Sequence, residues 1–360
     1  MNTSFNFSGR LANLYDKIAA EEVDAFLITK QANVTYLSGF RGDSAVLFIG
    51  KNFRKLITDG RYIEQALNET KNFTLVEHTE GLYKKIVEEI KISGCKKIGF
   101  EGLVMTVAEH SYLKKELPNV EFKSVELDTL RQVKDAAEIA QIRRACKIAD
   151  DAFEKILEFI KPDVREIEVA AELEYIMRRL GSEAAAFTTI VASGWRSALP
   201  HGTATDKKIC AGELVTIDFG ATFNGYHSDI TRTVCVGKAS AEQRKIYNLV
   251  LDAQLYGLEI ITAGKGGKEL DAAVRDRLTN AGYGRFFVHG LGHGVGLEIH
   301  EEPRLSKRSK CEKLFPNMIV TDEPGIYIAN FGGVRIEDTI LVTAGKAKPL
   351  THSPKTLIEL

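Results

Sequence analysis

Four carboxylates stand in stretches that otherwise read as buried β-strand, so the chain must fold in a way that brings them to a counter-charge. Asp218 lies in LVTIDFGATF, Asp229 in YHSDITRTVCV, Glu323 in MIVTDEPGIYI and Glu337 in GGVRIEDTILV. An ionised carboxylate in an apolar interior is very costly without a partner. Asn224–Gly225 lies between the first two acids and is a strong hairpin signal. With a four-residue loop, 222–225, Ala221 faces Tyr226 and Asp218 is expected directly opposite Asp229. Such a pair repels across the ladder, and more strongly if buried. Ile217, Phe219 and Gly220 look interior, which makes a bound cation the natural compensation. Glu323 and Glu337 are 14 residues apart around a glycine-containing turn, so a second hairpin can bring them together. Strand alternation sends their neighbours Asp322 and Asp338 to the opposite face, as supporting or solvent-facing groups.

The segment FFVHGLGHGVGLEIHEEP places His289, His293 and His300 within twelve positions, interleaved with Gly290, Gly292, Gly294 and Gly296. Three of the chain's 8 histidines in one glycine-rich stretch are hard to explain by packing. Glycine lets a metal or substrate approach the backbone closely and tolerates positive φ. A phosphate cradle is not expected, because no long apolar strand precedes this stretch and no acid follows in a βαβ unit. Asp218, Asp229, Glu323 and Glu337 carry four negative charges, which two divalent cations balance. With His293 as the one imidazole, the donors are hard and oxygen-rich, which suits Mn²⁺ and admits Co²⁺ or Zn²⁺. Two such ions about 3.5–4 Å apart form a hydrolytic device, one activating water and both stabilising an oxyanion.

At 360 residues the chain exceeds what one hydrophobic core usually fills, and its texture changes near residue 130. Before that point, apolar runs at 25–29, 45–49, 55–58, 73–77 and 97–100 alternate with helical periodicity at 10–20 and 82–92. After it, a long amphipathic helix is expected at 135–159, opened by Asp135 with Glu138 three residues on. A second helix, 166–180, ends at Gly181. Strands follow at 213–218 and 230–236, helices at 241–261 and 269–281, then strands at 318–322, 326–328, 334–343 and in the tail. The expected fold is α/β (α+β) with domains 1–130 and 131–360. A net charge of -1 gives no electrostatic ground for nucleic acid or an anionic membrane as partner. No apolar run nears the roughly 20 residues that span a bilayer. Cys95, Cys146, Cys210, Cys235 and Cys311 are odd in number and form no CxxC pair, which fits a reducing compartment. With no secretory pattern at the N-terminus, the expected location is the cytoplasm.

Five segments carry a resemblance: SGWRSALPHG (193–202), IDFGATFNGYHSDITRT (217–233), HGLGHGVGLEIHEEPRL (289–305), TDEPGIY (321–327) and VRIEDT (334–339). Together they resemble the pita-bread metallopeptidases, in the branch of Xaa-Pro dipeptidase (prolidase) and aminopeptidase P. The resemblance spans essentially the whole chain. It implies a small creatinase-type N-terminal α/β domain, which in this family often contributes to a homodimer and to one wall of the active site. A pita-bread catalytic domain follows. By this resemblance Asp218 chelates one metal and His293 and Glu323 the other, while Asp229 and Glu337 bridge. It also implies that His201, His289 and His300 position substrate and stabilise the transition state, with Glu323 as proton shuttle. Arg304 resembles the position that reads a dipeptide's free carboxylate, alongside His201 and His300 in substrate binding. The implied reaction is hydrolysis of the bond preceding proline by a metal-bridging hydroxide, in Xaa-Pro dipeptides or, alternatively, in the longer peptides of an Xaa-Pro aminopeptidase. A metal-free peptide-binding module of the same fold would show substitutions among the five ligands, and none is present. Methionine aminopeptidase would not need the N-terminal domain, and a creatinase-like amidinohydrolase would not need the metal set. Asn317 stands where the family usually has glycine, which bears on the local turn alone. In the N-terminal third, YLSGF (36–40) and DGRY (59–62) also resemble family segments and read as scaffold.

Overall fold

The computed structural model describes residues 5–360, which form two compact units, 5–131 and 132–360. In the first unit, strands β1 (Ala25–Ile28), β2 (Ala45–Gly50), β3 (Phe53–Thr58), β4 (Thr74–Glu77), β5 (Lys97–Phe100) and β6 (Glu121–Ser124) build one sheet. Its order is β4-β3-β2-β1-β5-β6, antiparallel in the middle and parallel on both flanks. Helix α1 (Phe7–Ala20) precedes the sheet, and α2 (Gln31–Ser38), α3 (Ile63–Glu69), α4 (Leu82–Ser93) and α5 (Val107–Glu116) connect its strands. Every residue of β1 and β2 is buried, which is why their sequences are unbroken apolar runs rather than alternating ones. The amphipathic α4 contributes Ile86, Val87 and Ile90 to a core shared with Ile57 and Ile98. The helical periodicity leaves out α2, whose start is satisfied from far along the chain. The Glu101 carboxylate accepts from the backbone N–H groups of Thr29 and Lys30 at 2.6 and 2.7 Å.

The second unit consists of two helix-on-sheet layers. In the first layer α6 (Ala136–Ile156) opens with the expected Asp135–Glu138 capping box. Helix α7 (Glu166–Arg179) stops before Gly181, which takes φ +104°. These helices pack on β7 (Ile190–Ser193), β8 (Leu214–Phe219) and, beyond the short ribbon of β9 (Thr222–Phe223) and β10 (Tyr226–His227), β11 (Ile230–Cys235). Phe153 and Leu173 meet Val191, Ile217 and Phe219 in their core. In the second layer α8 (Ala241–Ile260) and α9 (Gly267–Asn280) cover a sheet drawn from the last third of the chain. Its strands are β12 (Gly292–Gly294), β13 (Glu301–Leu305) and β14 (Ile319–Asp322), followed past the ribbon β15 (Gly325–Ile328) and β16 (Gly332–Arg335) by β17 (Asp338–Leu341) and β18 (Lys348–Pro349). Val250, Leu270 and Val274 pack with Val320 and Ile340 there. The α/β (α+β) mixture and the pita-bread layering agree with the expectation from sequence. One expected strand, 334–343, is two strands, and the break falls at 336–337, where Glu337 sits.

Candidate metal centre

Both hairpins that carry the acids can be read from their registers. In the ribbon Phe223 pairs with Tyr226 and Thr222 with His227, so the loop is only Asn224 and Gly225. These have φ of +51° and +78°, as a two-residue type I′ turn requires. The same register continues into β8 and β11, where Asp218 faces Thr231. The four-residue loop and the direct Asp218–Asp229 pairing are therefore corrected: Asp229 lies two residues away, as a diagonal neighbour. In the second hairpin, Asp322 pairs with Asp338 and Gly325 with Arg335. Both ladders keep one register, and in it Glu323 and Glu337 fall opposite each other at the break between them. Asp322 and Asp338 point away from the cavity, as alternation implies, but neither faces solvent. Asp338 is bonded to Arg232, Lys355 and Gln254, while both oxygens of Asp322 are buried against Gly257 without a hydrogen-bond partner.

The glycines around His293 act by size. None of Gly290, Gly292, Gly294 and Gly296 has positive φ, contrary to one use foreseen for them. A Cβ on Gly292 would stand 2.1 Å from the Thr321 carbonyl oxygen, and one on Gly294 would stand 2.5 Å from that of Glu302. Only glycine lets β12 run this close to its neighbours, and that places His293 beside Glu323.

Asp218, Asp229, His293, Glu323 and Glu337 all line one cavity of about 490 Å³. Ligand atoms of Asp229, His293 and Glu337 lie within 4.8 Å of one another. The His293 Nδ1–H donates to the Gly294 carbonyl at 3.1 Å. Its Nε2 therefore carries a lone pair, which faces Asp229 Oδ2 and Glu323 Oε1, each 3.5 Å away. Thr231 Oγ1 donates to Glu337 Oε2 at 2.5 Å, and Thr321 Oγ1 to Glu323 Oε1 at 3.1 Å. Arg335 donates to Asp218 Oδ2 at 2.6 Å, whereas Asp218 Oδ1 is buried with no partner.

The electrostatics of the cluster are those of crowded acids. Burial, then the charges of Glu337 and Asp218, hold Asp229 well above the usual carboxylate range. Burial, then Glu323 and Asp218, do the same to Glu337. Burial pushes Glu323 up to about 8 against the pull of Arg335, and it lowers His293 to about 3, so the imidazole is neutral. Of the four carboxylates, Asp218 is paired with the Arg335 guanidinium, and the charge of Arg304 also acts on Glu323. An orphaned carboxylate oxygen, a lone pair aimed at two acids and a hard donor set together fit divalent cations.

The remaining expected residues occupy the same cavity in different states. His289 is held on both sides, by the Gly290 carbonyl at 2.8 Å and the Tyr327 hydroxyl at 2.8 Å, and burial lowers it to about 3. Arg335 in turn donates to that hydroxyl at 2.7 Å. The His300 ring meets the His293 ring edge-on, with centroids 4.4 Å apart. His201 is exposed at the cavity wall, and Arg304 lines it; its backbone N–H donates to Glu302 Oε2 at 3.0 Å, while its guanidinium has no ion pair among the described residues. Sequence reasoning missed Arg335, Tyr327, Thr231 and Thr321. The first was within reach, because a strand that turns Glu337 inward turns Arg335 to the same face.

Comparison with known proteins adds to this geometry. Residues 140–344 match Metallopeptidase family M24, and residues 10–133 match the Creatinase/Prolidase N-terminal domain. The chain is 42% identical to a Xaa-Pro dipeptidase of Pyrococcus furiosus, over 97% of this chain and 99% of that one. A solved Xaa-Pro dipeptidase from Bacillus anthracis superposes with a TM-score of 0.96 at 44% identity, covering 99% of this chain and 100% of that one. A solved X-Pro aminopeptidase from Thermotoga maritima gives 0.91 at 38% identity, covering 97% and 99%.

Proposed function

The chain belongs to metallopeptidase family M24, and from that premise we propose that it is an Xaa-Pro dipeptidase working with two divalent cations, Mn²⁺ foremost. The observation that carries the metal reading is the buried, partnerless Oδ1 of Asp218 among three further carboxylates and the neutral His293. Asp218 would hold one ion, His293 and Glu323 the other, and Asp229 and Glu337 both. Such ions supply an activated water and polarise the scissile carbonyl.

The chain's own groups do the rest. Thr231 and Thr321 each occupy one oxygen of Glu337 and Glu323 and so orient these carboxylates. A bond before proline is a tertiary amide whose nitrogen must gain a proton on leaving, and we assign that proton transfer to Glu323. His289 is held through the Arg335–Tyr327 relay, which supports a positioning role for it. His300 and the exposed His201 are left to contact substrate. Arg304 gives the cavity a cation for a dipeptide's free carboxylate, which favours dipeptides. The likeness to the Thermotoga maritima enzyme favours the second reading, an Xaa-Pro aminopeptidase acting on longer peptides. We place the enzyme in the cytoplasm, in keeping with five unpaired cysteines, and as a homodimer by family resemblance.

The test uses purified chain loaded with Mn²⁺ and compares an Xaa-Pro dipeptide with an Xaa-Pro-Yaa tripeptide. Proline release from the dipeptide, abolished by EDTA, is the expected result. Cleavage of the tripeptide alone would replace the dipeptidase reading with the aminopeptidase one. Activity undiminished by exhaustive chelation would remove the metal. Arg304→Ala should raise KM for dipeptides by roughly tenfold or more, the scale of one charge-assisted contact.

A further inference from the structure

Asp229 and Glu337 immediately precede β11 and β17, and the backbone at these two points is tied together away from the cavity. Thr339 Oγ1 donates to the Asp229 carbonyl at 2.7 Å and accepts from the Asp229 N–H at 3.2 Å. The Thr339 N–H donates to Thr351 Oγ1 at 3.2 Å, and that hydroxyl donates to Asp338 Oδ1 at 3.0 Å. Arg232 donates to the same oxygen at 2.8 Å and to the Glu337 carbonyl. An unbroken relay therefore runs from Asp229 through Thr339, Thr351, Asp338 and Arg232 to Glu337. Its four intermediate residues are at most 1% exposed, so water cannot stand in for a lost partner at the surface. The chain segment that supplies Thr351 is itself held down. Arg232 donates to the carbonyls of Ser353 and Pro354 at 2.8 and 3.0 Å, and Asp150 accepts from the Ser353 N–H at 2.8 Å.

We propose that Thr351, a residue of the C-terminal tail that does not line the cavity, is a positioning residue that sets the affinity of the centre for its ions. The proposal rests on reading the five residues as a metal centre. Ion-free carboxylates in this cluster repel one another, and the backbone has to hold them at a separation that an ion can use. Thr351 ties down Asp338 and Thr339, the two residues that follow Glu337 and of which Thr339 grips the Asp229 backbone, by accepting from one N–H and donating to one carboxylate, without adding a charge of its own. Partners behind a ligand are typically worth about 10–100-fold in metal affinity, and the relay serves two ligands at once.

The experiment uses the full chain stripped of ions and titrated with Mn²⁺ in a calorimeter. Thr351→Val keeps shape and charge and removes the hydroxyl, Thr351→Ser restores it, and Thr339→Val breaks the neighbouring link. Both valine variants should bind Mn²⁺ at least about tenfold more weakly, while Thr351→Ser stays close to wild type. A purely structural role would lower the melting temperature without this split in affinity. Wild-type affinity in Thr351→Val overturns the proposal. If that variant does not fold, Thr339→Val decides between the same two outcomes. A wild-type chain that takes up no divalent ion would instead overturn the metal-centre reading on which the proposal stands.

Discussion

In the ion-free protein the Asp229 carboxyl keeps its proton well above the usual carboxylate range, because burial and the charges of Glu337 and Asp218 oppose its ionisation. Asp229→Asn should therefore act in opposite directions in the two states. Without ions it removes an acid from a crowd and should leave the melting temperature at or above that of wild type. With ions it removes a shared ligand. Since a partner behind a ligand is already worth about 10–100-fold, the loss of affinity should exceed about 100-fold, with activity falling alongside. Full metal content together with full activity would contradict the bridging role. At this scale the acids were legible, because a carboxylate in an apolar strand demands an explanation. Arg335 was legible by the same strand alternation but was passed over, because a balance of acids alone omits the cation that meets Asp218 at 2.6 Å. Asn317 settles its own departure from the family pattern. It takes φ +70°, in the left-handed region where asparagine is enriched over other non-glycine residues, so the turn survives without glycine.

Among the elements, the loop 296–301 and strand β13 present His300 and Arg304, and a buried ion pair holds them. Lys134 Nζ lies 3.1 Å from Glu301 Oε2, with the two side chains 1% and 3% exposed. The other oxygen of Glu301 accepts the Glu298 N–H at 3.1 Å, and its carboxylate fills the space a Cβ on Gly296 would need. Removing one partner of such a pair strands a charge and costs about 3–5 kcal/mol. Lys134→Met should thus lower stability to denaturant by that order and raise KM for dipeptides, with a smaller effect on Mn²⁺ affinity. The double variant Lys134→Met/Glu301→Gln should recover much of the stability. An unaltered single variant would show that the pair holds nothing. The hairpin error belongs to this scale too. A one-residue slip moves every side chain to the other face, but a two-residue slip keeps each on its own. Alternation around Asp218 and Asp229 was therefore blind to the difference between a four-residue and a two-residue loop. Only the turn chemistry of Asn224–Gly225 could decide it. Helix α2 was illegible for another reason: its capping carboxylate, Glu101, lies about 70 residues away, beyond any local pattern.

For the whole molecule, folding gathers acids from β8, from the start of β11 and from both sides of a broken hairpin, acids that stand apart in the unfolded chain. Nothing in sequence spacing measures how tightly they crowd, and that crowding couples metal, pH and stability. Glu323 rises from 4.5 to about 8, and Asp229 and Glu337 rise as well. A carboxyl whose pKa is raised by folding favours the folded state fully below its unfolded value and loses that contribution as pH climbs to the folded one. In EDTA, the melting temperature should therefore fall as pH goes from about 4.5 to 8, the window set by Glu323. Divalent ions bind only the assembled site and stabilise it by mass action, by about 2.7 kcal/mol at a hundred times Kd. They also compete with the protons, so the gap between Mn²⁺ and EDTA melting curves should widen across the same interval. Other groups titrate there too, and Asp229→Asn separates them: with one acid fewer it should lose less between pH 4.5 and 8. A wild-type melting temperature in EDTA that stays level or rises through that window would mean the carboxylates are not crowded in the ion-free protein. The case for cations as their counter-charge would then fall with it.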